Sequence, residues 1–255
     1  MDIEGNGFCF SCSKYVPAHR DDDPNKKDEV INTQLKKEDR VEVEGTYEIF
    51  PHRGISRTTM EHYNVLTKFV NEQPIEVGFI YPNKSAKIRL LKEKKFWSKG
   101  AMREASLFGK DKFDPGSKKS ITITEGEYDA LAVFEMTRGN TAAVSIKSAS
   151  SAKSDCIRDR DYINSFERII LCFDNDEPGQ KATREVASLF DFHKVYQVKF
   201  HKHKDANEYL EKDGMSDFLE CWKHARRFAP DNIISSFSEV EKSLLESKED
   251  LWVFH

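Results

Sequence analysis

RIILCFDNDEPG, residues 168–179, is the stretch on which the fold turns. Ile169 to Phe173 form an unbroken apolar run, the pattern of a strand covered by helices on both faces. The run opens directly into Asp174-Asn175-Asp176. Pro178 then stands in the first turn of a helix predicted over residues 178–190, where a missing N–H costs least. Reading outward, KVYQVKF (194–200) is the next strand. Upstream, residues 154–166 fit a helix and TAAVSI (141–146) a strand. Residues 127–137 fit a helix with Leu131, Phe134 and Glu135 on one side, and SITIT (120–124) a further strand. Strands alternating with helices at this spacing predict βαβ units and a mostly parallel sheet. Beyond Asp205 the pattern is helical through ANEYLEKDG and SDFLECWKHARRF. Pro230 breaks it, and SSFSEVEKSLLESKEDLWVFH reads as a final amphipathic helix.

Three acidic groups fall at or just past the C-terminal ends of these strands, the edge of an open α/β sheet where ligands bind. Glu125 ends SITIT, with Gly126 for a tight turn and Asp129 in the first helical turn; Asp174 and Asp176 follow RIILCF; Asp205 follows VKFHKHK. Carboxylates crowded at one edge repel each other unless cations neutralise them. Hard oxygen ligands with room for water suit Mg²⁺, and two such ions can hold the attacking and leaving oxygens of a phosphoryl transfer. D-x-D alone is as often an acidic surface loop; its combination with Glu-Gly two strands earlier points to chemistry.

TEGEYDAL and FDNDEPG resemble the two-part signature of the TOPRIM domain, shared by bacterial-type primases, topoisomerases and some nucleases, over residues 118–210. KDANEYL, SLFGK and HRGIS resemble segments of the primase–helicases of short-tailed phages, extending the likeness to residues 47–230. The resemblance implies an α/β TOPRIM fold with a smaller basic N-terminal α+β subdomain and a helical C-terminal cap. It implies Glu125, Asp129, Asp174, Asp176 and Asp205 as catalytic positions, with Glu125, Asp174, Asp176 and Asp205 as ligands to Mg²⁺, a pair of ions. The implied activity is template-directed synthesis of short RNA primers. Its partners would be a single-stranded DNA template, ribonucleoside triphosphates, a replicative helicase (fused or separate) and the DNA polymerase that receives the primer. This chain departs from the family after the second strand, where SIKSASSAKS replaces a glycine-containing turn; Lys147 and Ser148 stay candidates for a nucleotide phosphate.

Lys84, Lys87, Arg89, Lys92, Lys94, Lys95 and Lys99 lie within sixteen residues, interleaved with Phe96 and Trp97. Cations neutralise backbone phosphates and aromatics stack unpaired bases. The plainer reading is a solvated strand face with both aromatics in the core. KIR matches the family's lysine-rich strand, which selects Lys87 and Arg89, followed by Lys94, Lys95 and Trp97, as nucleotide or DNA contacts. Lys204 joins them because it neighbours Asp205. His201 and His203 are read as an exposed polar loop.

The N-terminal Cys9-x-x-Cys12 is half of a zinc site, with His19 a third candidate ligand; a closed structural site needs four. It resembles the second half of the family's zinc ribbon, so Zn²⁺ is expected only if further ligands exist. The five scattered cysteines read as reduced thiols. No run reaches the eighteen or so apolar residues of a membrane helix, and no secretory signal opens the chain. A soluble cytoplasmic protein is expected, in the host-cell cytoplasm if phage-encoded. No G-x-x-x-x-G-K-[ST] is present, so no helicase motor is expected in this chain. The expected organisation is a zinc-ribbon remnant (1–20), a linker (21–42), the basic subdomain (43–117), the TOPRIM domain (118–210), a helical cap (211–230) and a connector helix toward a helicase (231–255). A TOPRIM nuclease, or a non-catalytic nucleic-acid-binding or helicase-loading module, is the alternative.

Overall fold

The computed structural model describes residues 44–93, 95–212 and 214–229 in full, and the backbone of residues 7–9 and 14–16. The chain divides into two compact units, Met1–Thr33 and Gln34–His255. In the first, β1 (Gly7–Cys9) and β2 (Lys14–Val16) pair antiparallel, with Cys9 opposite Lys14. Cys12, His19 and the side chain of Cys9 lie outside the described residues, as do the expected linker up to residue 43 and the connector from residue 230.

The second unit holds two five-stranded sheets. The N-terminal one is an antiparallel meander of β3 (Thr46–Glu48), β4 (Leu66–Val70), β5 (Gln73–Ile80), β6 (Ala86–Leu90) and β7 (Phe96–Lys99). β5 and β6 form a hairpin around the Pro82-Asn83 turn. The lysine-rich run, read as one strand, is two: β6 ends at Leu90 and β7 begins at Phe96, and between them Lys92, Glu93 and Lys95 are exposed. Between β3 and β4 lies α1 (Arg57–Tyr63). Ser56 caps it through Thr59 N, and Met60, Tyr63 and Val65 are fully buried.

The second sheet carries the expected parallel strands: β8 (Ser120–Thr124), β9 (Ala142–Ser145), β10 (Arg168–Cys172) and β11 (Val195–Gln197). Their spatial order is β11-β10-β8-β9, and the short antiparallel β12 (Arg226–Arg227) closes the β11 edge. β8 and β10 sit in the middle, and Ile121, Ile123, Ile169, Ile170 and Leu171 are at most 1% exposed. Burial on both faces is what their apolar sequence requires. α2 (Glu127–Thr137) and α5 (Glu177–Ala187) follow β8 and β10. The single helix expected over residues 154–166 is broken into α3 (Ala152–Arg158) and α4 (Arg160–Asn164). Asp159, at the break, turns its carboxylate to Leu107 N (2.7 Å) and Lys110 Nζ (2.7 Å). α6 (Ala206–Glu211) and α7 (Met215–Lys223) complete the unit. Among the described residues no helix is long and apolar enough to cross a membrane.

Candidate active site

The strand order puts the β8, β10 and β11 C-terminal ends side by side, so chain segments far apart in sequence meet at one edge. There a cleft of about 310 Å³ opens between this edge and the face of β6. Its acidic lining is Glu125, Glu127, Asp129, Asp174 and Asp205, and its basic lining Arg53, Lys87, Arg89, Lys147 and Lys204. Four of the five carboxylates expected to act together are thus in one cleft. Asp176 is not: it is exposed, and its Oδ1 caps α5 by accepting from Gly179 N (3.0 Å). The backbone bends at Asn175 and Asp176, so the two aspartates do not enter the cleft together. Asp176 still acts through space, as one of the charges that raise the Glu125 pKa.

Each carboxylate is held differently. Asp174 pairs with Lys204 Nζ (3.0 Å). Asp129 Oδ1 accepts Asn207 N (3.0 Å), tying α2 to α6. Asp205 caps α6 through Glu208 N (2.8 Å). Glu125 Oε2 is buried with no hydrogen-bond partner among the described residues, and Asn207 Oδ1 is a second such orphan. Burial, reinforced by Asp174 and Asp176, lifts Glu125 to about pH 7. Burial, then the neighbouring Asp205, likewise raises Asp129, and burial raises Asp174 despite Lys204.

Glu125, Asp129 and Asp205 have no ion pair among the described residues, whereas the other two carboxylates of the cleft do. Uncompensated negative charge beside an orphaned oxygen is the environment a hard cation relieves. Among the described residues no three acidic, histidine or cysteine side chains form a ready-made cage. The fit to Mg²⁺ rests on the donors themselves, carboxylate oxygens beside the unpartnered Glu125 Oε2, for an ion that keeps waters and takes substrate phosphate oxygens as ligands.

The opposite wall is cationic. Arg89 lies between the rings of Phe96 (5.5 Å) and Tyr128 (5.3 Å) and makes no ion pair with a carboxylate among the described residues. Lys87 also faces the cleft, but its Nζ is held by Glu127 Oε2 (3.0 Å) and Lys147 O (2.9 Å). Ser148 lines the cleft, while the Lys147 ammonium is turned to Asp155 (2.7 Å). Lys95, on its turn, pairs with Glu93 (2.6 Å). Trp97 sits half-buried on β7, outside the cleft lining. Lys94 lies outside the described residues. His201 faces a separate cavity of about 530 Å³ behind the 199–204 loop. The two acids of that cavity, Asp217 and Glu220, are already paired with Lys202 and His224.

Sequence reasoning missed Glu127, Tyr128, Arg53 and Asn207. Glu127 is 4% exposed and takes the Tyr81 hydroxyl (2.5 Å) together with Lys87. Tyr128 donates to His52 Nε2 (2.6 Å), whose Nδ1–H is turned to Phe50 O (2.9 Å), and Arg53 lies 4.6 Å from the Tyr128 ring. HRGIS, TEGEYDAL and KDANEYL carried these residues in plain view. Their partners are 40 or more residues away, so no local pattern signals the contact.

Comparison with known proteins identifies the family. A family model described as Toprim-like matches residues 122–210. The DNA helicase/primase of enterobacteria phage T3 is 31% identical over 247 residues, 92% of this chain and 43% of that protein. The crystal structure of the primase fragment of the bacteriophage T7 primase-helicase is 30% identical, with a TM-score of 0.62 over 86% of this chain and 91% of that one. This chain belongs to the TOPRIM-family DNA primases. A second TOPRIM primase structure supports the assignment. It contains T7 primase domains with the lagging-strand DNA polymerase, an RNA/DNA hybrid and dTTP; its match is 33% identical, with a TM-score of 0.63 over 72% of this chain and 94% of that one. The chain spans under half the length of the phage T3 relative.

Proposed function

We propose that this chain is the primer-synthesising part of a DNA primase, joining ribonucleoside triphosphates on a single-stranded DNA template. The observation that carries the proposal is one cleft with Glu125, Asp129, Asp174 and Asp205 on one wall and Arg89 and Lys87 on the other. Mg²⁺, when bound, would supply charge neutralisation and polarisation of the reacting phosphate. Asp174, Asp205 and Asp129 are the residues that would hold it. Glu125, titrating near neutrality, is suited to accept the proton of the attacking 3′-hydroxyl or to join the ligand set. Lys204 pairs with Asp174 and orients it. Arg89 offers a guanidinium fork to a triphosphate or to the template backbone, and Phe96 beside it is a surface for a base.

The finer organisation belongs to the same proposal: a remnant zinc ribbon before residue 21, a basic subdomain to residue 117, a TOPRIM domain to residue 210, and a helical cap and connector beyond. Replicative helicase and DNA polymerase would act on either side of primer synthesis. The test is incubation with Mg²⁺, single-stranded DNA and labelled ribonucleotides, with and without an added zinc-ribbon protein. Oligoribonucleotides are expected. DNA cleavage without them would mean a TOPRIM nuclease, and neither activity would mean a binding module.

A further inference from the structure

The turn after β9, where this chain has SIKSAS in place of a glycine-containing loop, is built around one buried side chain that the site does not use directly. Asp155 on α3 is 2% exposed. Its Oδ2 accepts Lys147 N (3.0 Å) and Ser151 Oγ (2.9 Å), folding residues 147–151 back onto the helix. Its Oδ1 lies 2.7 Å from Lys147 Nζ and 3.6 Å from Arg158 Nη1. Both cations in turn donate to Ala105 O, at 3.0 and 2.9 Å. A carboxylate this buried must keep its counter-charge. The Lys147 ammonium is therefore committed to Asp155, while the Lys147 carbonyl, fixed by the same contacts, holds Lys87 Nζ at the cleft wall.

We infer that Asp155 is a positioning residue. It sets the Lys147–Ser148 peptide so that Lys87 stands in the cleft, and it keeps the Lys147 amine out of direct contact with a nucleotide. An aspartate reaching back from the following helix thus does by hydrogen bonding what a glycine turn does by backbone freedom. The inference deepens the primase reading and rests on it for the nucleotide, but not for the network itself.

The test has two arms. The first labels lysine amines of the whole chain with an acylating reagent, followed by mass spectrometry. Lys147 is expected to react at least about tenfold more slowly than exposed Lys153, and Asp155→Asn to bring it to within about threefold of Lys153. The second measures primer synthesis. Asp155→Asn and Lys147→Met should each raise the nucleotide KM by roughly fivefold with kcat within about twofold, and the double variant should be no worse than the larger single effect. Equal reactivity of Lys147 and Lys153 in the unmodified protein would overturn the inference. So would a KM raised by Lys147→Met but unchanged or lowered by Asp155→Asn, the signature of Lys147 as a direct phosphate ligand. Should Asp155→Asn not fold, Lys147→Met is read together with the labelling arm: a KM rise without a kcat loss in a protein whose Lys147 is protected supports the network, and no KM change, or a Lys147 as reactive as Lys153, rejects it. A protected Lys147 in a chain that makes no primers would sink the primase reading and leave Asp155's role intact.

Discussion

Glu125 shows how a single side chain reports the chemistry of its site. Its carboxyl titrates near pH 7 in the folded protein, well above an unfolded glutamate, so the metal-free fold binds a proton there that the unfolded chain has released. Stability from this source is complete below about pH 4.5 and is lost as pH rises through about 7. Glu125→Gln, which mimics the protonated form, should make the metal-free protein more stable than the unmodified one at pH 8. After discount for solvent screening the gain is on the order of 1 kcal/mol, or about 2–4 °C in Tm. It should vanish near pH 4.5, and melting curves in chelator at the two pH values check both sign and window. The same substitution should abolish primer synthesis. Asp174→Ala should lower synthesis on the order of 10³-fold while leaving single-stranded DNA affinity within about twofold, because DNA binding draws on the cationic wall. Incorporation assays beside fluorescence anisotropy separate the two effects.

At the scale of elements, the β10–α5 junction is the tightest part of the edge. A Cβ built on Gly179 would lie 2.2 Å from Asp174 O, so the helix approaches the strand end only because residue 179 lacks a side chain. Gly179→Ala should therefore cost about 1–3 kcal/mol by overpacking, visible as a Tm drop of several degrees. It should also weaken activity by displacing Asp174, as paired melting and incorporation measurements would show. The strand and the helix of this junction were legible in the sequence, because the apolar run stops at the aspartates and Pro178 opens the helix; Asp176, read there as a Mg²⁺ ligand beside Asp174, caps α5 instead. The β8–α2 junction was legible as well, and the helix bounds 127–137 agree with the structure. What could not be read is whatever depends on distant partners. Asp159 breaks a helix because Leu107 and Lys110 need its oxygens. Lys147 looked like a phosphate ligand because nothing nearby in sequence says that Asp155, one turn into the next helix, is buried and requires a cation. The lysine-rich run looked like one strand because charge density conceals the turn between β6 and β7.

For the whole molecule, the balance of charge decides partners less than its placement does. The net charge of −4 gives no hint of a nucleic-acid surface, yet one wall of the cleft is basic. Arg89→Ala should weaken single-stranded DNA binding and reduce the slope of log affinity against log salt by about 0.7. Lys95→Ala, whose charge is already met by Glu93, should leave the slope nearly unchanged. Anisotropy titrations across a salt series test both. The two walls are also joined by bonds well away from the acids. Glu135 of α2 accepts from Ser56 Oγ (2.7 Å) and from Thr59 Oγ1 at the start of α1. The Tyr63 hydroxyl donates to Ala143 O on β9 (2.7 Å), and Tyr128 bonds His52. Fastened at three separate places, the jaws cannot swing apart as a hinge would allow. A cleft so fastened keeps its width, so on the primase reading proposed above turnover should not be paced by a domain opening.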